Sequence, residues 1–424
     1  MLRKRKIFYG WWIVLASASL NFLAGGTFLY GFTVFFNPIK DTFHWSSAIT
    51  SVAFVFQRLE MGVFGPLAGF LVDRVGPRKL MLFGWVVIGL AFLCMSRINS
   101  LWAFYGSFVL IATGFSFGSF VVPNTAVALW FTRKRSRALT LIYLGFGASG
   151  AIVPLISFSV GQIGWRETLA LLAVILGVLG VLLSMVMRNK PGQYGLLPDG
   201  DTVPVSEAPD LPSTRGTVVE GSALSSAGFT AREAIKTKAF WLLAFAFLFQ
   251  HTGTSAVMVH IVPFLESVKL PTTLAATAVT GMTLSSLIGR LGFGFLGDFA
   301  NKRRLIAIAL TLQGVGLLLF SFIDADKSWL IIPFLLTYAP GYGGPIPLRP
   351  ALQADYFGTR SFGTIMGLMA SVSMLGGLFS PVVAGWVFDV TGTYRLAWQI
   401  FSLITFPAVA LMLLAKPPQA KQAA

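Results

Sequence analysis

The chain has 424 residues, of which 55% are hydrophobic and only 11% are charged, and its formal net charge is +16. Soluble domains average roughly 25% charged residues, so this composition excludes a water-soluble globular protein. The single cysteine, Cys94, excludes a disulfide framework and any cysteine-based metal site.

The hydropathy pattern predicts an all-α membrane protein. Apolar stretches of about 18 residues or more recur along the whole chain, and each is long enough to cross a bilayer as a helix. The first is not a cleaved signal, because its apolar run is too long and no small-residue cleavage site follows it. The twelve predicted transmembrane helices are 8–36, 47–72, 79–97, 101–131, 137–160, 165–187, 239–265, 272–297, 303–323, 328–354, 361–388 and 394–415.

Between the sixth and seventh spans the apolar pattern stops. This stretch is rich in Pro, Ser, Thr, Gly and Asp, which predicts a mobile cytoplasmic linker. Near its end Thr230 and Glu233 stand at capping-box spacing, which predicts a short helix. The predicted organisation is an N-terminal six-helix bundle (1–187), a linker (188–238) and a C-terminal six-helix bundle with a short tail (239–424).

Three sequence signatures occur once in each half and in the same order. A duplicated architecture of this kind in an apolar chain is typical of a secondary transporter whose substrate site lies between the halves. The first pair aligns Asp73 with Asp298. The paired segments are GPLAGFLVDRVGPRKL (65–80) with GRLGFGFLGDFANKRRL (289–305), LWFTRKRSRAL (129–139) with DYFGTRSFGTI (355–365), and GASGAIVPL (147–155) with MLGGLFSPV (374–382).

The distribution of positive charge indicates orientation in a membrane. If the N-terminus is cytoplasmic, most of the 32 Lys and Arg residues fall in cytoplasmic segments. This positive-inside bias predicts that both termini are cytoplasmic, and it argues against a nucleic-acid partner. The opposite side holds only Lys40, Arg97, Arg166, Lys269, Lys327 and Arg395.

The signature G-x-L-x-D-R-x-G-x-R-K around Asp73 resembles the loop 2–3 motif of the major facilitator superfamily, and the copy around Asp298 resembles its loop 8–9 echo. Within that superfamily, YGWWIVLASASLNFLAGG, RLEMGVFGPLAGFLVDRVGPRK and WFTRKRSRAL resemble bacterial monocarboxylate porters and oxalate–formate exchangers. The resemblance implies a twelve-helix fold with two pseudo-symmetric halves, alternating access and no enzymatic activity.

The signature residues have a physical role of their own. An aspartate at the end of a span caps a neighbouring helix N-terminus, while adjacent cations hold nearby loops. The alternative is a topology anchor, since Lys and Arg belong on that side in any case. The predicted conformational latch consists of Asp73, Arg74, Arg78, Asp298 and Arg303.

Three arginines, Arg58, Arg290 and Arg349, remain inside predicted spans, with only one carboxylate, Glu60, at comparable depth. Buried ionisable groups are costly, so they serve a substrate or pair with one another. Arg290 is the first candidate, because its depth matches that of a substrate site. Eight residues, or about 12 Å of helix, separate it from Asp298 at the cytoplasmic boundary, which places it near the middle of the membrane. A guanidinium holds a carboxylate through two parallel hydrogen bonds. The resembled porters also carry a carboxylate-binding arginine in this span; the alternative is a structural pair with Glu60.

The interpretation of the other interior residues stays open. Arg58 and Glu60 point to different helix faces, so either they form static interhelical pairs or Glu60 carries a proton. Arg349, between two prolines, is a second anion contact, a gate residue or structural. His260 is a substrate ligand or proton relay, or else a satisfied core histidine. The resemblance implies that Asn124 and Tyr342 are polar pocket positions.

The sequence therefore predicts a multi-pass protein of a bacterial inner membrane that carries small organic monocarboxylates with a proton, without cofactor or metal, as a monomer. The eleventh span contains no lysine and Ser286 stands one turn before Arg290, so neither the oxalate exchangers' second cation nor the animal porters' aspartate is present. The alternatives are an oxalate–formate type exchanger, a multidrug exporter of the same fold, or a membrane receptor for an anion.

Overall fold

A computed structural model of the protein describes residues 7–46, 49–50, 64–201 and 228–418. These residues fold almost wholly into helices, and the one extended pairing among them is an isolated bridge between Gly228 and Gly358. The prediction of an all-α chain is confirmed.

In the ranges described, nine α-helices precede the linker. They are α1 (Gly10–Ala24), α2 (Phe32–Phe43), α3 (Gly65–Val75), α4 (Pro77–Ser96), α5 (Leu101–Gly118), α6 (Val121–Trp130), α7 (Arg135–Ala148), α8 (Val153–Ile163) and α9 (Trp165–Val186). A π-helical segment, Gly25–Tyr30, joins α1 to α2, and a 3-10 turn, Ser149–Ile152, joins α7 to α8. Each of these two joined pairs makes one continuous span.

The remaining helices begin near the end of the linker, with α10 inside it and the others after it. They are α10 (Ala231–Ile235), α11 (Lys238–Ser267), α12 (Thr272–Leu296), α13 (Lys302–Ser321), α14 (Ile331–Gly343), α15 (Pro345–Phe357), α16 (Phe362–Thr391) and α17 (Arg395–Leu414). Helix α10 begins directly after Thr230, which confirms the short helix predicted at the end of the linker.

Ten of the twelve predicted spans coincide with helices, or joined helices, that are long and apolar enough to cross a bilayer. The second, 47–72, falls mostly outside the described ranges, which include only its end in α3. The tenth, 328–354, is divided at Gly344 into α14 and α15, each 13 residues long. Prolines explain the division, since Pro340, Pro345 and Pro347 lack the N–H that a continuous helix requires.

The chain forms two compact units. The first comprises Met1–Thr230 together with Phe357–Thr364, and the second comprises Ala231–Tyr356 together with Ile365–Ala424. Aromatic side chains fill both cores. In the first unit Phe28 stacks on Phe115 at 4.6 Å, and in the second Phe320 stacks on Phe334 at 4.3 Å.

The first part of the linker is folded onto the first unit, which differs from the mobile linker that composition predicts. Its residues form 3-10 turns at Pro191–Tyr194 and Pro198–Gly200. The guanidinium of Arg188 lies 3.8 Å from the ring centre of Tyr9. Cation–π contacts and hydrogen bonds hold this segment against the rest of the first unit. Composition alone does not reveal these contacts, because they depend on a few individual residues and not on a long apolar stretch.

Candidate functional site

Arg290 lies on α12 in the second unit. Its side chain is buried, with 7% exposed, and Ser286, one turn earlier on the same helix, is 1% exposed. A buried guanidinium brings a full positive charge and five N–H donors inside the span. This position suits the recognition of an anion.

Close packing fixes the position of the helix that carries Arg290. A Cβ added to Gly343 of α14 would lie 2.2 Å from the carbonyl oxygen of Ser286, and one added to Gly289 would lie 2.5 Å from the Cα of Pro340. Small residues let transmembrane helices approach at the backbone. The contact therefore sets the depth and rotation of α12 against α14.

We expect Gly343→Ala to lower the melting temperature of the purified protein, because the added methyl group must push α14 away from Ser286. Overpacking of this kind costs about 1–3 kcal/mol. Gly292→Ala is the matched control on α12, since a Cβ there meets nothing within 4 Å. An unchanged melting temperature in Gly343→Ala would contradict the close packing.

Tyr342 lies next to Gly343 on α14 and is half-buried. It ends a column of rings, because its ring lies 6.4 Å from that of Tyr338, which in turn stacks on Phe334 at 5.1 Å. Tyr338 is fully buried, and its hydroxyl donates to the carbonyl oxygen of Gly253 at 3.5 Å. The column supports Tyr342 from one side.

Arg349 lies on α15 and is held by two neighbours. Its guanidinium carbon is 4.1 Å from the ring centre of Phe247, and its Nη2 donates to the hydroxyl of Ser373 at 2.9 Å. That hydroxyl donates in turn to the carbonyl oxygen of Met369, so it is oriented to accept from the arginine. The contacts fix the guanidinium in one orientation.

His260 bridges three elements of the second unit. Its Nε2 lies 2.9 Å from the carbonyl oxygen of Pro381, and its Nδ1 lies 3.2 Å from the hydroxyl of Tyr394. Because a carbonyl oxygen can only accept, we assign the ring hydrogen to Nε2, and Nδ1 then accepts from the tyrosine. Both ring nitrogens have partners, as a satisfied core histidine would.

Asn124 lies in the first unit near a break in a span. Helix α5 ends at Gly118, α6 begins at Val121, and Phe120 between them has a φ of 58°. The start of α6 is about 15 Å of helix from its end at Trp130, so the positive end of its dipole lies within the span. Discontinuous helices of this kind occur at the substrate sites of transporters.

The Asn124 side chain is 1% exposed, and its Nδ2 donates to the hydroxyl of Tyr143 at 2.8 Å. Its Oδ1 is buried and has no hydrogen-bond partner among the described residues. A buried amide oxygen without a donor costs free energy, so this atom is suited to accept a hydrogen bond from a ligand or a water molecule.

The predicted residues Arg58 and Glu60 lie outside the described residues. Their pairing and the proton-carrying role of Glu60 stay predictions. In the described ranges, no three His, Cys, Asp or Glu side chains come together as metal ligands.

Asp73 caps the start of α16 within the first unit. Its carboxylate accepts hydrogen bonds from the N–H groups of Gly363 and Thr364, at 3.0 and 2.8 Å, and from the Thr364 hydroxyl at 2.7 Å. A carboxylate at this position satisfies N–H groups that have no partner inside the helix and opposes the positive end of the helix dipole.

The other predicted latch residues have separate contacts. Arg74 lies over the ring of Phe70 at 4.3 Å, and the backbone N–H of Arg78 donates to Asn189 at 3.2 Å. Arg303 donates from Nη1 to the carbonyl oxygen of Ala415 at 3.1 Å, and Asp298 is half-buried in the turn after α12. The role of these residues as a conformational latch stays a prediction.

Sequence reasoning missed Asp199 in the linker. Its carboxylate accepts hydrogen bonds from the backbone N–H groups of Thr132, Arg133 and Lys134 at 3.0, 2.8 and 3.1 Å. The available signal was the turn-forming sequence Pro-Asp-Gly at 198–200, which stands out in a segment otherwise interpreted as structureless.

The chain matches the sequence profile of the Major Facilitator Superfamily over residues 14–291 and 243–424. It belongs to this superfamily. Among curated relatives, the major facilitator is 26% identical over 407 residues to the oxalate:formate antiporter of Oxalobacter formigenes, covering 93% of this chain and 91% of the relative. It is 26% identical over 400 residues to monocarboxylate transporter 13 of Bos taurus, covering 92% of this chain and 86% of the relative.

Among solved structures, the major facilitator resembles the E. coli fucose:proton symporter with a TM-score of 0.70 at 13% identity, covering 95% of this chain and 98% of the other. This likeness shows the twelve-helix fold in two pseudo-symmetric halves. The relatives show that the protein is a multi-pass membrane transporter and not an enzyme.

Proposed function

We propose that this transporter moves small organic monocarboxylates across the membrane by alternating access, and that Arg290 is the carboxylate ligand. The observation that carries the proposal is the buried guanidinium of Arg290 within the span formed by α12. Guanidinium binds a carboxylate through two parallel hydrogen bonds, which supply orientation as well as charge. The named substrates of the relatives, oxalate, formate and monocarboxylates, belong to this chemical class.

Asn124 and Tyr342 are the proposed polar contacts to the rest of the substrate. The free Oδ1 of Asn124 accepts a hydrogen bond, while the half-buried Tyr342 offers a ring and a hydroxyl. The start of α6, close to Asn124, adds the positive end of a helix dipole. Each of these groups by itself suits one part of an anion with a small organic body.

Proton coupling is the second part of the proposal, with Glu60 and His260 as candidates. Nδ1 of His260 accepts from Tyr394, so a proton taken up by Nδ1 would turn this acceptor into a donor, and the tyrosine hydroxyl would then accept the hydrogen bond that it now donates.

A second candidate function is exchange of a dicarboxylate such as oxalate for a smaller anion. It is favoured by Arg349, a second guanidinium held in a fixed orientation by Phe247 and Ser373. A dianion needs two cations, and Arg349, or Arg58, would supply the second. The multidrug exporter alternative is disfavoured, because arginines inside the spans repel organic cations.

The proposal also places the protein in a bacterial inner membrane with both termini cytoplasmic, acting as a monomer. The orientation rests on the excess of Lys and Arg in the segments assigned to the cytoplasm.

Flux into proteoliposomes tests the proposed function. We expect uptake of radiolabelled formate, acetate or lactate that is stimulated by an inward proton gradient and is absent from protein-free vesicles. Uptake that requires internal oxalate or formate and ignores the proton gradient would establish the exchanger instead. Transport of lipophilic cations without carboxylate flux would overturn the assignment of an anion site.

A further inference from the structure

The linker supplies side-chain hydrogen-bond acceptors at the starts of two helices of the first unit that have no side-chain cap of their own. The residues that precede α4 and α7, Gly76 and Lys134, provide no side-chain cap. Asn189 accepts a hydrogen bond from the N–H of Arg78 at the start of α4, and Asp199 accepts three from the turn that leads into α7. The first N–H groups of a helix need such partners, and Arg78 supplies one of them within α4. The three N–H groups that Asp199 accepts from come from the residues before α7, so Asp199 fixes the turn that leads into that helix.

The burial and the hydrogen bonds of Asp199 suit it to this role. It is 8% exposed, and both of its carboxylate oxygens are used, with Oδ2 bound to Thr132 and Arg133 and Oδ1 to Lys134. Its φ of 61° places it in the left-handed region, which aspartate tolerates better than most residues. The turn therefore adopts an unfavourable backbone conformation in order to direct the carboxylate at three amides.

Neighbouring contacts hold the linker in place beside this cap. The indole nitrogen of Trp130 donates to the carbonyl oxygen of Arg188 at 3.0 Å, and the side chain of Arg133 pairs with Asp201. The linker is thus attached to both sides of the connection between α6 and α7.

The C-terminal end of the linker contacts the connection between α15 and α16, which corresponds in the second half to the connection between α6 and α7. By the alignment of the two halves, Phe131 before α7 corresponds to Phe357 before α16. The N–H of Phe229 donates to the carbonyl oxygen of Phe357 at 2.8 Å, and the two rings meet edge-to-face at 6.1 Å. Asp73 caps α16 just beyond this point. Each described end of the linker therefore attaches to one of two equivalent helix starts.

We propose that Asp199 is a positioning residue for transport, which acts by holding the turn that leads into α7. The linker then affects the transport rate and does more than connect the two six-helix bundles. The Asp199 cap holds the connection between α6 and α7 in one arrangement, and its loss slows turnover without weakening substrate binding. The proposal rests on transport by this chain and does not depend on which substrate is carried.

Asp199→Asn and Asp199→Gly test the proposal together. Asparagine keeps the size and the tolerance for the left-handed region but lacks the charge and one acceptor, while glycine suits the φ of 61° better than aspartate does. If Asp199 only shapes the turn, the glycine variant should equal or exceed the wild type. If the carboxylate is what matters, both variants should fail in the same way. Asp201→Asn is the comparison variant, because it removes the neighbouring ion pair with Arg133 and leaves the three hydrogen bonds to Asp199 in place.

Two measurements decide the outcome. In hydrogen exchange of the purified protein, we expect amide protection at Thr132–Lys134 to fall at least tenfold in both Asp199 variants and to persist in Asp201→Asn. In acetate counterflow, we expect the maximal rate to fall five- to tenfold at an unchanged KM. Unchanged protection, or a maximal rate in Asp199→Gly equal to wild type, would overturn the proposal. If wild-type protein carries formate or lactate but no acetate, the maximal rate is measured with the acid that it does carry. If it carries none of the three, the monocarboxylate assignment is contradicted.

Discussion

Replacing Arg290 with glutamine should abolish carboxylate binding and transport while leaving the protein folded. The guanidinium is buried on α12, so a bound carboxylate there has little access to water that would replace the lost contact. Each hydrogen bond between charged groups contributes about 1.5–3 kcal/mol, so losing two of them raises Kd by roughly a hundredfold or more.

Thermal stabilisation by added ligand measures the loss of carboxylate binding directly. A ligand present at a hundredfold excess over its Kd stabilises the folded state by about 2.7 kcal/mol, and we expect this shift with a monocarboxylate in the wild type and none in Arg290→Gln. Arg290→Lys is the matched control, because it keeps the charge but loses the planar pair of donors, and it should show an intermediate shift. A full ligand-induced shift in Arg290→Gln would remove Arg290 from the site.

Replacing Asp73 with asparagine should lower the maximal transport rate at least tenfold with little change in KM. The carboxylate receives three hydrogen bonds from Gly363 and Thr364 at the start of α16, and asparagine keeps only one acceptor oxygen and adds a donor that faces other donors. The cap stabilises the conformation described here, so its loss shifts the population away from that conformation.

Thr364→Val provides the graded comparison for Asp73→Asn. It removes the hydroxyl contact alone and leaves both backbone N–H groups bound to the carboxylate, so we expect a smaller loss of rate. Initial rates over a range of substrate concentrations separate an effect on the maximal rate from an effect on KM. A raised KM with an unchanged maximal rate would mean that Asp73 acts on binding, which contradicts a latch.

The fold could be predicted from the sequence because the bilayer leaves few alternatives. A chain with 55% hydrophobic residues must satisfy its backbone hydrogen bonds within each span, which forces helices. The divided tenth span was less predictable in detail. Its prolines were visible in the sequence, but the close approach of Gly344 to Phe293, whose ring a Cβ on Gly344 would approach to 2.6 Å, comes from packing between helices.

The candidate site was only partly predictable. Arg290 and Arg349 were visible because a charge within an apolar span is rare and costly. Their neighbours were not visible, since Phe247 and Ser373 are ordinary residues for a span and come to Arg349 only through the packing of three helices. The same holds for His260, whose partners Pro381 and Tyr394 lie more than a hundred positions away in the chain.

The sequence by itself determined the membrane class, the repeated halves and the interior arginines, because these depend on hydrophobicity, spacing and charge, which are properties of single residues and short segments. Only the tertiary structure decided which polar group meets which. Composition predicts that the linker remains mobile, yet the linker residue Asp199 receives three hydrogen bonds from a turn more than sixty residues earlier. Hydrogen bonds are short and directional, so their partners are known only once the backbone has brought distant segments together.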